Sequence, residues 1–191
     1  MSFEFPNLFN PQPSLEGETL SLRPLAESDR AALAEAASDR FIWEGHPAKD
    51  RYLPEVFAGY FDVLLNIGGC LLISDKANGE VIGCSAYYTD RNAPQRLSIG
   101  FTFLRRAYWG GPTNRALKGL MLGHIYDYAS EAWFHIAPDN YRSQTATKKL
   151  GAVLTHVDKM DLGGGAQLWQ CYCLTREAWH TSLAASNSGH S

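Results

Sequence analysis

The 191-residue chain is 45% hydrophobic and 19% charged with a formal charge of −3, the profile of one ordinary folded domain with length enough for a sizeable core. That charge, with no basic run, leaves no footprint for nucleic acid. There is no run of about 18 apolar residues to cross a membrane, and "MSFEFPNLFNPQPSLEGE" is not a signal peptide, so a cytoplasmic protein with no membrane partner is expected.

The first 17 residues, rich in Pro and Asn with isolated Phe and Leu, predict an extended arm on the domain surface. "TLSLRPL" alternates and predicts a strand; "AESDRAALAEAASD" predicts a helix with acidic residues in its first turn. "IWEGHPAKDRY" predicts a loop, after which Pro54 opens a second helix where its missing N–H is harmless. Three strands follow as an antiparallel meander. "GGCLLISD" and "VIGCSAYYTD" are joined through Asn78-Gly79, and "RLSIGFTFL" comes after the loop "RNAPQ". Tyr87 and Tyr88 straddle a central strand, so one of them faces the core or a cleft.

"FLRRAYWGGPTNRALKGLML" then runs from strand to glycine turn to helix. "AWFHIA" predicts a short buried strand, "DNYRSQTATKKL" a helix closed by Gly151, and "AVLTHVDKM" another strand. A turn at 163–165 leads to "AQLWQCYCLT" as the last strand, and residues 180–191 predict a disordered tail. The order is that of a single α/β (α+β) domain over 18–179, with a mixed, mostly antiparallel central sheet and helices on both faces. The four cysteines form no Cys-x-x-Cys and the six histidines no zinc spacing, so reduced thiols and no metal are expected.

The glycine turn admits two readings: tight packing, or bare backbone amides that receive an anion at a helix N-terminus. It is neither a Walker loop nor a dinucleotide fingerprint. Together, "YWGG", "DNYRS" and "KKLG", with "LRP" near the start and "LTREAW" near the end, resemble the GNAT superfamily of N-acetyltransferases, closest to the branch that acetylates ribosomal-protein N-termini. The resemblance implies acetyl-CoA as co-substrate and a primary amine as acceptor, either a protein N-terminus or a small molecule. It also implies that its diphosphate would lie on amides from Trp109 through Gly110, Gly111 and Thr113 to Asn114, with Phe103 and Leu104 meeting the pantetheine arm between splayed strands. Asn140 and Ser143 match cofactor-contacting positions, although Asn140 also reads as a plain helix cap. Two departures from the family pattern are Pro112, which has no N–H for a phosphate, and Thr147, which stands where many members have a proton-donating Tyr. In the branch that lacks that Tyr the resemblance offers Ser143's position as a substitute, which leaves the donor open. For the base, "WEGHP" offers Glu44 and His46 in the loop beside the acceptor pocket. A homodimer is possible, and the alternative function is a GNAT-fold module that binds acyl-CoA or a protein without catalysis.

Overall fold

The computed structural model describes residues 3–90, 93–162 and 165–188. Arg91 and Asn92 of the expected loop, and Gly163 and Gly164 of the expected turn, lie outside them. Strands β1 (Leu15–Glu16), β2 (Leu20–Pro24), β3 (Cys70–Asp75), β4 (Val81–Asp90), β5 (Ala93–Leu104), β6 (Glu131–Ile136), β7 (Val153–Asp161) and β8 (Ala166–Thr175) form one sheet. Its order is β1-β2-β3-β4-β5-β6-β8-β7. Helices α1 (Arg30–Ala36), α2 (Pro54–Asn66), α3 (Thr113–Tyr126), α4 (Tyr141–Lys149) and α5 (Arg176–Ser188) cover both faces. The expected class, a single mixed and mostly antiparallel domain, therefore holds.

Alternation along the strands sorts the core into two layers. Tyr87, Ile99, Leu117, Met121, Ile125, Phe134 and Trp179 pack on the α3 face, whereas Leu33, Phe57, Phe61, Leu72, Tyr88 and Phe103 pack on the α1–α2 face. Tyr87 donates its hydroxyl to the Met121 carbonyl at 3.0 Å, which ties β4 to α3. The neighbouring tyrosine points the other way, as its place in the strand requires. The four cysteines are buried free thiols.

What positions the site is the junction of β5 and β6. These strands run parallel and meet at one residue pair, Ser98 and Trp133, before they part. Phe101 has φ +50°, and there the β4–β5 register slips, setting Phe101 and Thr102 against Ser85 alone. This is a bulge, which bends its strand away from the ladder. Gly83 lets β5 lie close to β4: a Cβ there would stand 2.0 Å from the Phe103 carbonyl oxygen.

Both ends of the chain differ from expectation. In the arm Phe9 is buried, with its ring 5.3 Å from Tyr87 and 5.0 Å from His124, and Asn10 offers its carbonyl to His124. Phe9 thus joins the core and Phe3, Phe5 and Leu15 pack against it, while Leu8 stays exposed. Residues 176–188 form α5, so the tail expected to lack structure from 180 is helical through Ser188. Trp179 is buried and Leu183 packs beside it, while Arg115 of α3 donates to Ser182 at 2.8 Å. A tryptophan and a leucine four apart dock this helix although the residues between are small and polar.

Candidate active site

The glycine turn is pinned by side chains that face the protein. Trp109 Nε1 donates to the Leu104 carbonyl at 2.9 Å, Tyr108 donates to Asp75 at 2.9 Å, and Arg106 pairs with Asp39 at 2.9 Å. Its backbone faces outward. Among the described residues the N–H groups of Gly110, Gly111, Thr113 and Asn114 donate to no other backbone group outside the helix. Gly110 has φ +74°, and neither it nor Gly111 has an atom within 4 Å of where a Cβ would stand. Pro112 is the N-cap of α3, followed by Thr113 at N1. The proline therefore removes one donor and leaves the first helical amides open.

A cavity of about 440 Å³ extends from this turn through the gap between β5 and β6. Its lining comes from both faces of the sheet. Lys118, Phe134, Thr147 and Leu150 belong to the α3–α4 side; Trp43, His46, Arg51, Tyr60, Tyr88 and His135 belong to the α1–α2 side. Between them stand Gly100 to Leu104 of the bulged strand. A passage of this kind has room for a long flexible ligand entering from one side of the sheet and access from the other.

Of the residues singled out in the sequence, His46, Phe103, Leu104, Trp109, Gly110, Asn114, Asn140 and Ser143 line the cavity. Gly111 and Thr113 are not in its lining, and the Trp109 N–H, expected among the diphosphate donors, is already given to the Arg106 carbonyl at 3.0 Å. The Leu104 carbonyl already serves Trp109, which restricts what it can offer a ligand. Asn140 caps α4, accepting the Ser143 N–H at 3.1 Å, so the cap reading holds for a residue that also faces the cavity. Glu44 departs from expectation: its side chain is exposed and borders a separate depression with Arg40, Lys49, Asp50 and Tyr52. His46 points inward, but Ala48 donates to its Nδ1 at 3.0 Å, and burial with the nearby Arg51 charge pushes its pKa down to about 3. A ring so reluctant to hold a proton is unsuited to be the base expected of it.

Of Tyr87 and Tyr88 it is Tyr88 that lines the cavity, and two residues that the sequence did not single out, His135 and Lys118, join it. Tyr88 and His135 meet across the gap, hydroxyl to Nδ1 at 2.7 Å, and burial lowers the His135 pKa to about 4. Lys118 is buried on the opposite wall, donating to Thr102 Oγ1 at 2.8 Å and more weakly to Ser85 Oγ at 3.4 Å. Desolvation brings its pKa down from 10.5 to about 7. The sequence signal for Lys118 was faint: a lysine beside Leu117, three residues ahead of Met121, on the apolar side of α3.

Comparison with known proteins decides the family. The acetyltransferase (GNAT) domain model matches residues 19–153, more than half of the chain. The chain belongs to the GNAT acetyltransferase family. Solved GNAT structures resemble it over nearly its full length. A GCN5-related N-acetyltransferase from Brucella melitensis superposes with a TM-score of 0.74 at 19% identity, covering 93% of this chain and 85% of that one. Mycobacterium smegmatis RimJ in complex with CoA-disulfide gives 0.65 at 18% identity, covering 92% and 94%. The ribosomal-protein-S5-alanine acetyltransferase of Vibrio fischeri gives 0.61 at 18%, covering 87% and 98%. No curated protein sequence matches significantly.

GNAT enzymes use acetyl-CoA, and this chain's residues fit it. The open amides of the turn, ahead of the positive end of the 14-residue α3, suit a diphosphate. Arg142, stacked 3.7 Å over Trp109 and donating to the Ile42 carbonyl at 3.0 Å, adds a cation at the mouth. The gap between β5 and β6 is where a pantetheine arm would lie. Among the described residues no helix is long and apolar enough to cross a membrane.

Proposed function

We propose that the protein is an acetyl-CoA-dependent N-acetyltransferase that acts on a primary amine by direct attack in a ternary complex. The observation that carries this reading is the cavity that crosses the sheet between β5 and β6, open to the free amides of the turn at one end and to the loop of His46 and Arg51 at the other. Acetyl-CoA supplies an activated acyl carbon, which becomes bonded to the amine nitrogen as the thiol is released.

The protein's share is placement and proton traffic. The turn amides and α3 hold the diphosphate. His135 is neutral at physiological pH, so it positions the attacking amine by accepting a hydrogen bond from it, while the Tyr88 hydroxyl fixes the ring at Nδ1. The amine attacks in its neutral form, and the proton shed by the acylated nitrogen goes to water. Lys118, with a pKa near the operating pH, holds a proton for the departing thiolate, the task for which the family's Tyr is replaced here by Thr147. Ser143, at the same wall, remains a second donor for that proton. The acceptor is a protein N-terminus or a small amine. A purely binding role leaves the buried lysine and the Tyr88–His135 pair unexplained.

Calorimetric titration tests this directly. Acetyl-CoA is expected to bind with a Kd on the order of micromolar, desulfo-CoA similarly, and ATP far more weakly. Amine-dependent thiol release should follow in a screen of primary amines. Absence of acetyl-CoA binding would remove the reading.

A further inference from the structure

The cavity has a charge pattern in which one cation, Arg51 on the acceptor side, is not required by the transfer reaction alone. Among the described residues that line the cavity there is no aspartate or glutamate, while Arg51, Lys118 and Arg142 are all present. Lys118 is satisfied by hydroxyl groups and Arg142 by the Ile42 carbonyl. Arg51 has neither. The ion pairs of the described residues involve Arg23, Arg30, Lys76, Arg105 and Arg106, and leave Arg51 out. Its guanidinium carbon lies 3.6 Å over the Tyr60 ring and 5.6 Å from that of Trp43, and the residue lines the cavity.

The neighbour of Arg51 sharpens the point. Because Ala48 N–H donates to His46 Nδ1, the neutral ring carries its hydrogen on Nε2. That nitrogen faces Arg51 Nη1 at 3.2 Å. Two donors thus confront each other with no acceptor between them. Exchanging the tautomer only moves the conflict to Ala48, since one neutral imidazole can accept once. An anionic oxygen beside the two nitrogens would accept from both and resolve the conflict.

We propose that Arg51 and His46 form a carboxylate subsite, and that the acceptor is a small amino acid, an amine that carries its own negative charge, rather than a polyamine or a basic peptide. The inference rests on the N-acetyltransferase reading above. A polycation would bring further positive charge onto the Arg51 guanidinium, whereas an amino acid places its carboxylate there and leaves its amine for Tyr88 and His135, which feel the negative charge of Asp90 and, for His135, of Asp158. The aromatic walls formed by Trp43, Tyr60 and Phe103 suit an apolar or aromatic side chain.

The test uses two probes matched in shape, 3-phenylpropionate and phenethylamine, titrated by calorimetry into the full chain saturated with CoA. The carboxylate is expected to bind at least about tenfold more tightly than the amine. Arg51→Gln should abolish that preference, and Arg51→Lys should retain part of it, with acetyl-CoA affinity unchanged in both. L-phenylalanine should then release thiol faster than phenethylamine with the unmodified chain. Equal or stronger binding of the amine, binding of neither probe, or a preference that survives in Arg51→Gln would overturn the subsite. Failure of the underlying reading is seen separately, as absence of acetyl-CoA binding in the same instrument.

Discussion

Lys118→Met is expected to raise the melting temperature at pH 6 by about 5–10 °C while lowering amine-dependent thiol release on the order of a hundredfold. Both effects come from the same buried charge. Its pKa falls from 10.5 free to about 7 in the folded chain. Below pH 7 the ammonium is present folded and unfolded, so folding carries the whole desolvation penalty, at most about 5 kcal/mol for a shift of this size. Between pH 7 and 10.5 the unfolded chain still binds a proton that the folded chain has lost, and stability rises with pH. The gain from methionine is therefore largest in acid and shrinks by pH 9. Little is lost in exchange, because Ser85 and Thr102 remain hydrogen-bonded to each other at 2.7 Å. As a proton donor, Lys118 must be charged to act, so turnover of the unmodified enzyme at saturating acceptor should fall as pH rises past about 7. Melting curves at pH 6 and 9 with a kcat–pH profile check both halves. A variant that is more stable yet fully active would leave Lys118 no part in proton transfer.

Lys118 also shows where reading the sequence reaches its limit. Period-two strands, Pro54 at a helix start, the Asn78-Gly79 hairpin and the glycine turn are local signals, and the architecture followed from them. The lysine's meaning depends on a bulge at Phe101 and on hydroxyls 16 and 33 positions away in the chain, which no local pattern encodes. The Tyr88–His135 pair spans 47 positions and exists only because β5 and β6 part after one pairing; in "AWFHIA" the histidine reads as part of a buried strand. The loop "WEGHP" was legible as a loop with candidate polar residues, but not which of them turns toward the cavity. A turn closed by the His46 N–H on the Trp43 carbonyl at 2.9 Å and by the Ala48 N–H on His46 Nδ1 holds the histidine inward, while Glu44 is exposed. Helix α5 was missed for the opposite reason, since its polar composition outweighed the spacing of Trp179 and Leu183.

Gly110→Val should cost acetyl-CoA affinity on the order of a hundredfold while the protein stays folded. The residue sits at φ +74°, where a side chain costs about 1–3 kcal/mol of backbone strain, β-branched valine being the worst suited. No atom lies within 4 Å of the added Cβ, so the damage does not spread by collision into the core. What suffers is the direction of the turn amides and the open space before them. Gly111→Val separates these two contributions. Gly111 is not in the left-handed region and its Cβ would also meet nothing, so there the loss reports obstruction of the ligand with little strain. If backbone approach to a diphosphate is what the turn provides, both variants weaken acetyl-CoA in calorimetry, and Gly110→Val weakens it more because it also misaims the donors. Pro112 makes the dependence steeper, because with one amide already absent the remaining four-residue set of Gly110, Gly111, Thr113 and Asn114 has fewer donors to share the anion. A folded Gly110→Val protein with unchanged affinity would mean that the glycines serve the turn alone and that the phosphates are held by side chains such as Arg142.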